Sequence, residues 1–414
     1  MANYRFLFLI IYLLIFIFEL WLKFLNLSHL KKHGGIVPPE FEGHVDSEIL
    51  KKIRNYTIER SRLGFFESIF ESGIFILFIF GGILDAYNSW IFSLDLPFVL
   101  SGVLFFLILS LASTFLSIPF SIFAAFRIEN RYGFNTMTAR LWLSDLVKSL
   151  VISIILTAAM TTTGFGIIAL SPGWWWFWLW LFLLGFGIFM MYISPYAIEP
   201  LFHKFAPIQD EILEGKIREL MDKVRIRISK IRVVDASKRS RHTNAYFTGI
   251  GRVKRIVLFD TLINNMTHGE ILAILAHEAG HWKKRHILKR IVLIELVSLV
   301  SLFIAFKILK GDILISLFGL ESDSFFARMI LLGFVGSLAS FFFRPVSNHF
   351  SRRHELDADA FACAMLKQRK DLSDALVKLT KDNLSNLHPH PWYAFFYYSH
   401  PLILQRLKKI RKDF

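Results

Sequence analysis

Seven long apolar segments dominate the pattern of hydrophobic and polar positions along the chain. A helix that crosses a bilayer needs roughly 20 consecutive apolar residues. Runs of this kind lie at about 5–24, 65–84, 98–126, 146–171, 174–198, 288–309 and 325–346. The first run is long, has little basic flank before it and no small-residue cleavage site after it, so we interpret it as a retained helix rather than a signal peptide. The pattern predicts a mostly α-helical, multi-pass membrane protein with seven transmembrane helices.

The polar regions between and after these runs divide the chain into four segments. Residues 1–198 contain the first five predicted membrane helices, 199–287 form a polar insert, 288–346 contain the last two membrane helices, and 347–414 form a C-terminal segment. We expect the insert and the C-terminal segment to form the catalytic part of the protein together.

Secondary structure of two kinds is predicted within the insert. Residues 208–228 have apolar positions at helical spacing among mixed charges, which predicts a soluble amphipathic helix. Three later runs, at 230–237, 243–251 and 255–263, are rich in Val, Ile, Tyr or Phe and are bounded by turn residues. They predict a small three-stranded sheet.

A helix is predicted directly after this sheet. Thr267 is a candidate N-cap, and Glu270 follows at the spacing of a capping box. Because no proline or loop signal follows, we expect one continuous helix over 268–309, half of it outside the membrane and half within.

Composition supports the membrane class and narrows the chemistry. Hydrophobic residues make up 54% of the 414, including 44 Phe and 10 Trp, and the mean hydropathy is +0.48. The net charge of +15 is compatible with nucleic-acid binding, but the basic residues lie mainly in loops beside apolar runs, so we expect no nucleic-acid partner. Cys363 is the only cysteine, which excludes an internal disulfide and a cysteine-based zinc cage. A metal site must therefore use His and carboxylate ligands.

Basic loops alternate with loops that are nearly free of Lys and Arg. The links 86–97 and 171–173 contain neither residue and 310–324 contains only Lys310, whereas the other connections are basic. Long loops collect basic residues in any case, which explains part of the asymmetry but not its regular alternation. The positive-inside rule then places the N-terminus outside and both large polar regions in the cytoplasm.

A metal-binding motif lies within the predicted long helix. The sequence "HEAGH" places His277 and His281 four residues apart, on one helix face, where two imidazoles can bind one zinc ion. Glu278 stands beside them and can act as general base. The alternative is an exposed helix face with incidental histidines.

A third metal ligand is predicted in the C-terminal segment. Catalytic zinc requires three protein ligands and one open position. In "SRRHELDADAFA", at 351–362, Glu355 and Asp359 share one helix face. Glu355 can ligate the metal while Asp359 orients a ligating histidine by accepting its ring N–H, and His354 and Asp357 point elsewhere. A solvated acidic helix face is the alternative.

Two further stretches are candidates for substrate contact. The run 244–249, "NAYFTG", is unusually aromatic and offers either an edge for an extended substrate or a buried sheet face. His400 precedes a proline at the start of a basic helix, where it can donate a hydrogen bond to a developing oxyanion or cap the helix.

Together these stretches resemble one known family, the type I CAAX prenyl endopeptidases, which are integral-membrane zinc proteases. The resemblance rests on six stretches in order among the seven apolar runs: "RIENRYGFNTMT" (127–138), "HTNAYFTG" (242–249), "RIVLFDTLI" (255–263), "HEAGHW" (277–282), "SRRHELDADAFA" (351–362) and "YYSHPLILQRL" (397–407).

The resemblance implies a fold and a set of site residues. It implies a helical barrel around a large hydrated chamber, with one Zn²⁺ per chain facing inward on His277, His281 and Glu355 and with Glu278 as catalytic base. It also implies an extended peptide laid along the strand formed by Asn244, Ala245, Tyr246 and Phe247. Enzymes of the family cut after a prenylated C-terminal cysteine, and some make a second cut upstream.

We therefore expect a membrane-embedded zinc endopeptidase that cuts near the C-terminus of membrane-associated peptides or proteins, with prenylated CAAX-type substrates among the candidates. Compact loops and the lack of an endoplasmic-reticulum retention tail favour a bacterial inner membrane over the endoplasmic reticulum, with the active site on the cytoplasmic side. The partners expected are a peptide or lipidated protein substrate and membrane lipids. We expect the protein to be a monomer.

Two alternatives remain. One is a bacterial metalloprotease for membrane-protein quality control, without prenyl specificity. The other is a metal transporter, which predicts internal repeats and ligands at the bilayer midplane. The sequence shows no such repeat, and the candidate ligands stand beside basic flanks.

Overall fold

The computed structural model describes residues 4–249, 253–321, 323–366 and 369–412. Within these ranges most of the chain is helical. The α-helices are α1 Arg5–His33, α2 Ser47–Phe80, α3 Ile83–Ser93, α4 Phe98–Ile122, α5 Ala139–Leu170, α6 Trp175–Ile193, α7 Glu199–Phe202, α8 Glu211–Lys223, α9 Asp260–Asn265, α10 His268–Lys283, α11 His286–Leu309, α12 Ile313–Phe318, α13 Phe325–Met365, α14 Arg369–Asp382, α15 Pro391–Tyr397 and α16 Ile403–Lys412. Short π-helical segments continue α4 over Phe123–Glu129 and α6 over Ser194–Ile198.

Seven helices in the described part of the chain are long and apolar enough to cross a membrane, which confirms the predicted number. They are α1, α2, α4 with its π-helical continuation, α5, α6 with its π-helical continuation and α7, α11, and α13. Large apolar side chains remain exposed on their outer faces, for example Phe66 and Val300. Such surface is expected of helices whose surroundings are lipid rather than water.

The last of these helices, α13, extends well beyond the predicted span 325–346. Helix α13 is 41 residues long and begins at an N-cap in which Ser324 accepts a hydrogen bond from the backbone of Ala327. It tolerates Pro345 in its interior and runs on to Met365. A single helix therefore joins an apolar span to the acidic stretch that carries Glu355 and Asp359.

The predicted continuous helix over 268–309 is wrong, because two helices occupy this range. Helix α10 ends at Lys283, α11 begins at His286, and Arg285 between them has a left-handed backbone with φ of 56°. On a continuous helix, side chains five positions apart project in directions that differ by roughly 140°. His286 could therefore not face His281 if the helix were continuous. The break places the Nδ1 atoms of these two rings 3.1 Å apart.

The sheet has four strands in the described residues, not the three predicted. The strands are β1 Phe205–Pro207, β2 Arg227–Val234, β3 Ala245–Thr248 and β4 Val253–Phe259, in the order β1-β2-β4-β3. The β2–β4 pair is parallel and the other two pairs are antiparallel. The additional strand β1 has three residues and ends in a proline, so no alternating pattern indicated it. The end of the predicted run 243–251 lies outside the described residues.

One face of this sheet forms the core with α10. Ile231, Ile256 and Leu258 are buried there in the same cluster as Ala273 and Ala276 of α10. The predicted soluble helix is present as α8, where Asp210 caps the N-terminus by accepting from the backbone of Leu213. These elements hold α10 firmly on its buried side.

The predicted capping box at the start of α10 is confirmed. Thr267 accepts from the backbone of Glu270, and the Glu270 carboxylate accepts from the backbone of Thr267 at 2.7 Å. Lys378 donates to the same carboxylate at 2.8 Å. Burial raises the pKa of Glu270, but these hydrogen bonds outweigh it and leave the pKa lowered.

Helices α10 and α13 meet most closely at Gly280. A Cβ at this position would lie 3.1 Å from Cα and O of Ala358 and 3.2 Å from Cβ of Phe361. Ordinary carbon contacts lie at about 3.5–4.0 Å. The lack of a side chain at Gly280 therefore sets how closely the two helices approach. The contact lies one residue before His281 on α10 and one residue before Asp359 on α13.

Candidate metal centre

The three predicted metal ligands come together where α10 meets α13. His277 and His281 point from α10 and Glu355 from α13, with one ligand atom of each within 4.8 Å of the others. Among the described residues this is the only group of three or more His, Cys, Asp or Glu with such a spacing. His277 and Glu355 are buried, and His281 is partly buried.

The distances between these donors suit a tetrahedral metal. The Nε2 atoms of His277 and His281 are 3.2 Å apart, and the Glu355 carboxylate oxygens lie 3.4 Å from the former and 3.3 Å from the latter. Two ligands bound to zinc at about 2.05 Å in tetrahedral directions are about 3.3 Å apart. The residues present therefore fit a zinc ion.

An acidic residue supports His277 from behind. Oδ1 of Asp359 lies 2.9 Å from Nδ1 of His277. The two atoms are close, but they are not aligned for a hydrogen bond. Asp359 is almost fully buried. Asp359 therefore lies beside a candidate ligand, and its orienting role stays a prediction.

Arg406 completes this support, and the sequence pattern did not indicate it. Its guanidinium donates to both Asp359 oxygens, at 2.8 and 2.6 Å, and lies 4.0 Å from Glu355. Arg406 is buried in α16. No local spacing links residues 47 positions apart, so only the folded chain brings this cation to the site.

A second histidine supports His281, and it too was missed. His286 is buried at the start of α11, with its Nδ1 atom 3.1 Å from Nδ1 of His281. Its ring stacks on that of His354 at 4.1 Å with an interplanar angle of 9°, and Asp357 lies 3.9 Å from its Nε2. His354 and Asp357 thus lie outside the group of candidate ligands, but they contact His286, which lies against the candidate ligand His281.

Glu278 lies beside the ligand pair without a partner of its own. No residue in the described ranges forms a hydrogen bond or ion pair with its carboxyl group. Burial raises its pKa, and the neighbouring histidines act in the opposite direction. A carboxylate with a raised pKa binds a proton more readily than a surface glutamate does.

His400 reaches the same centre from the C-terminal segment. Its Nε2 lies 3.4 Å from Oε1 of Glu355, and its Nδ1 lies 3.0 Å from the Ser399 hydroxyl. Helix α16 begins three residues later, at Ile403, so the position is too early for an N-cap. A cleft of about 490 Å³ lies on this side, lined in part by Tyr398, His400 and Arg406.

The predicted substrate strand is β3, at the edge of the sheet. Among the described residues it pairs only with β4, and it packs beside α10. Ala245 is buried, whereas Tyr246 and Phe247 are half-buried. Asn244 precedes the strand and accepts from the backbone of Phe259 at 3.1 Å. The structure thus places an unpaired strand edge next to the helix that carries two of the candidate ligands.

Two protein-family models match the chain in succession. A model described as CAAX prenyl protease N-terminal, five membrane helices, matches residues 26–204. A model described as Peptidase family M48 matches residues 207–413.

Individual proteins match over nearly the whole chain. CAAX prenyl protease 1 of Saccharomyces cerevisiae is 32% identical over 95% of this chain and 92% of its own length. The CAAX prenyl protease 1 homolog of Arabidopsis thaliana is 32% identical over 96% and 95%. The uncharacterized metalloprotease YhfN of Bacillus subtilis is 30% identical over 82% and 80%.

A solved structure matches as well. The crystal structure of S. mikatae Ste24p superimposes with a TM-score of 0.92 at 30% identity, and the match covers 100% of both chains. The predicted seven-helix membrane fold is therefore confirmed, with four strands in place of three.

Proposed function

This chain belongs to the M48 peptidases with a CAAX prenyl protease N-terminal domain, and from that premise we propose that it is a membrane-embedded zinc endopeptidase that cuts near the C-terminus of membrane-associated substrates. It is a metalloprotease and a multi-pass membrane protein. The metal-transporter alternative is excluded by the family. The single observation that carries the proposal is the convergence of His277, His281 and Glu355 at tetrahedral distances.

One zinc ion per chain would be held by these three side chains. Zinc in such a site supplies a water of lowered pKa and a positive charge that polarises the scissile carbonyl. The chain's part is to fix the ligand geometry, and Asp359 does this for His277. Arg406 keeps Asp359 ionised and aimed, because its two hydrogen bonds reach both carboxylate oxygens.

Glu278 acts as the general base. It is next to His277 on α10, and no described residue occupies its carboxyl group. Its raised pKa favours accepting a proton from the attacking water and then giving it to the leaving amine. A carboxylate already engaged in a strong ion pair would do neither as well.

An extended peptide would bind along β3. The outer edge of β3 is unpaired in the described sheet, so its backbone groups can pair with a substrate strand. Asn244, Ala245, Tyr246 and Phe247 would then contact the substrate, with side chains alternating between the two faces. His400 lies within reach of the metal ligands and would donate to the oxyanion as it forms.

The substrates proposed are C-terminal peptides of membrane-associated proteins, including prenylated CAAX proteins. The curated relatives named as CAAX prenyl proteases, from yeast to plants, support this specificity. Because a similar bacterial protein is named only as a metalloprotease, the second candidate is a quality-control protease without prenyl specificity. For either role we propose a monomer in contact with membrane lipids, in a bacterial inner membrane with the site on the cytoplasmic side. The alternative location is the endoplasmic reticulum.

Glu278→Gln tests the mechanism most directly. The variant keeps the size of the side chain but removes the base, and a general base contributes about 10²–10⁴-fold to the rate. We expect kcat on a quenched peptide to fall by about this factor while zinc, measured by mass spectrometry, stays at one per chain. Glu42→Gln, at an exposed position, is the matched control and keeps full activity.

Two results would contradict the proposal. One is equal cleavage by the Glu278→Gln variant and the wild type, and the other is an active wild type that carries no zinc. The same assay with prenylated and unprenylated versions of one peptide separates the two substrate candidates. Prenyl specificity predicts a much lower kcat/KM without the lipid, whereas the quality-control role predicts similar values.

A further inference from the structure

A basic cleft lies on the face of the sheet opposite α10. It has a volume of about 680 Å³ and is lined on one side by the end of the fifth membrane span, including Tyr192 and Tyr196, and on the other by Lys230, Arg232 and Arg255 of the sheet. Clefts of about 300–1,000 Å³ are typical of ligand sites. The residues that line it, as far as the structure describes them, include no Asp or Glu.

The pairing of the strands concentrates the three positive charges. Lys230 on β2 is the register partner of Arg255 on β4. Arg232 follows two residues after Lys230 and so projects from the same face of the sheet. The residue between them, Ile231, is buried in the core shared with α10. The sheet thus separates this cleft from the candidate zinc ligands.

Arg255 is fixed by two contacts that leave some of its N–H donors without a partner in the described structure. One terminal nitrogen donates to the backbone oxygen of Pro195 at 3.2 Å, and the guanidinium lies 4.5 Å from the ring centroid of Phe205. Its Nε is buried and has no hydrogen-bond partner among the described residues, so the terminal nitrogens are the groups that can reach a ligand. A cation fixed in this way loses little freedom when it binds an anion.

The three basic side chains of the cleft have no carboxylate within ion-pair distance in the described part of the chain. None of Lys230, Arg232 and Arg255 forms an ion pair with a carboxylate in the described residues. Glu199 already accepts from Tyr246 at 2.9 Å, and Asp235 is 2.7 Å from Lys238. Three like charges that lack an ion-paired carboxylate favour an anionic ligand.

The location of the cleft points to the ligand's source. Tyr192 and Tyr196 are mostly exposed at the end of an apolar span, as tyrosines in the headgroup belt of a membrane are. Arginine and lysine bind phosphate oxygens strongly. From this geometry we propose that the cleft binds the phosphate group of an anionic lipid such as phosphatidylglycerol.

The chemistry also predicts which lipids are excluded. Zwitterionic phosphatidylcholine carries a phosphate too, but its quaternary ammonium group meets Lys230, Arg232 and Arg255 without any lining carboxylate to offset the repulsion. An anionic headgroup brings no such cation. The site therefore discriminates by net headgroup charge.

Binding of fluorescent lipids to the full-length protein in dodecyl maltoside micelles tests the proposal. We expect NBD-labelled phosphatidylglycerol to bind at least about tenfold more tightly than NBD-labelled phosphatidylcholine. The double substitution Lys230→Gln with Arg232→Gln should weaken phosphatidylglycerol binding roughly 30-fold, the factor for two charges worth about 1 kcal/mol each. Lys51→Gln with Lys52→Gln removes the same charge from an exposed helix face and should change binding less than twofold.

Competition with glycerol 3-phosphate identifies the source of the phosphate. If only unlabelled phosphatidylglycerol displaces the probe, the ligand is a lipid. If glycerol 3-phosphate displaces it as effectively, the cleft takes a soluble phosphate. Equal binding of the two labelled lipids, or equal losses in both double variants, overturns the proposal. Zinc content and thermal unfolding of each variant show that the fold is retained.

Discussion

Gly280→Ala tests whether the approach of α10 to α13 sets zinc affinity. The added Cβ would lie 3.1 Å from two backbone atoms of Ala358, about 0.5 Å inside the ordinary contact distance. The atoms it meets belong to backbone and cannot swing away. The two helices must therefore separate by a few tenths of an ångström.

This displacement falls directly on the candidate ligands. His281 is the next residue on α10, and Glu355 lies one helical turn before Ala358 on α13. The His–Glu355 distances of 3.3–3.4 Å would grow toward about 3.8 Å, whereas metal–ligand distances are normally held within about 0.2 Å. Without zinc the helices can relax apart, but zinc would draw them together again.

The expected magnitude follows from that difference. Overpacking of a tight contact costs about 1–3 kcal/mol. If the metal-free protein relieves this strain and the zinc-bound protein must retain it, zinc affinity falls by roughly 5- to 150-fold. The measurement is a competition titration of purified protein against a chromophoric chelator.

A matched glycine on another helix provides the control. Gly215 lies within α8, and a Cβ there would meet no atom within 4 Å. Gly215→Ala gains the same helix propensity, up to about 1 kcal/mol, without any steric contact, and should leave zinc affinity unchanged. Equal zinc affinity in wild type and Gly280→Ala would refute the reasoning.

Three further predictions follow from the contacts around the site. Asp359→Asn should raise the zinc dissociation constant about 10- to 100-fold by removing the charge behind His277, as measured by chelator competition; an unchanged constant would contradict this role. His286→Phe retains a buried ring but removes the nitrogen facing His281, and should weaken zinc about tenfold with little change in thermal unfolding; a large fall in unfolding temperature with zinc affinity intact would indicate packing alone. Glu270→Gln should lower the free energy of unfolding by about 0.5–2 kcal/mol at neutral pH. Because the pKa of Glu270 is lowered in the folded protein, its stabilising effect is present above the unfolded pKa of about 4.3 and is lost as pH falls through the folded pKa. The stabilities of wild type and variant should therefore converge in acid, and a constant difference across pH would argue against this role.

Local patterns in the sequence predicted much of this structure. Seven apolar runs predicted the spans, and the capping box predicted the start of α10 at His268. The spacing within "HEAGH" predicted that His277 and His281 share a face. The acidic stretch placed Glu355 and Asp359 on one side of a helix. Each of these features depends on residues no more than a few turns apart.

The features that were missed depend on contacts between distant segments. Arg285 adopts a left-handed conformation without being Gly or Asn, so no local signal marks the helix break. The left-handed conformation of Arg285 allows His286 to be buried against His281. Arg406 reaches Asp359 only because α16 folds back onto α13. Strand β1 is too short to show a period and exists through its pairing with β2.

The continuity of α13 also links the site to the thickness of the bilayer. From the middle of its apolar span, near residue 335, to Glu355 is about 30 Å of helix at 1.5 Å per residue. One degree of tilt about that point moves Glu355 by about 0.5 Å, as much as the alanine at Gly280 would. Helices tilt to match the hydrocarbon thickness around them, whereas the break at Arg285 means that α10 is not continuous with a membrane span. We therefore expect the distances between Glu355 and the two histidines to depend on the surrounding membrane, and peptidase activity in reconstituted bilayers to vary with lipid composition.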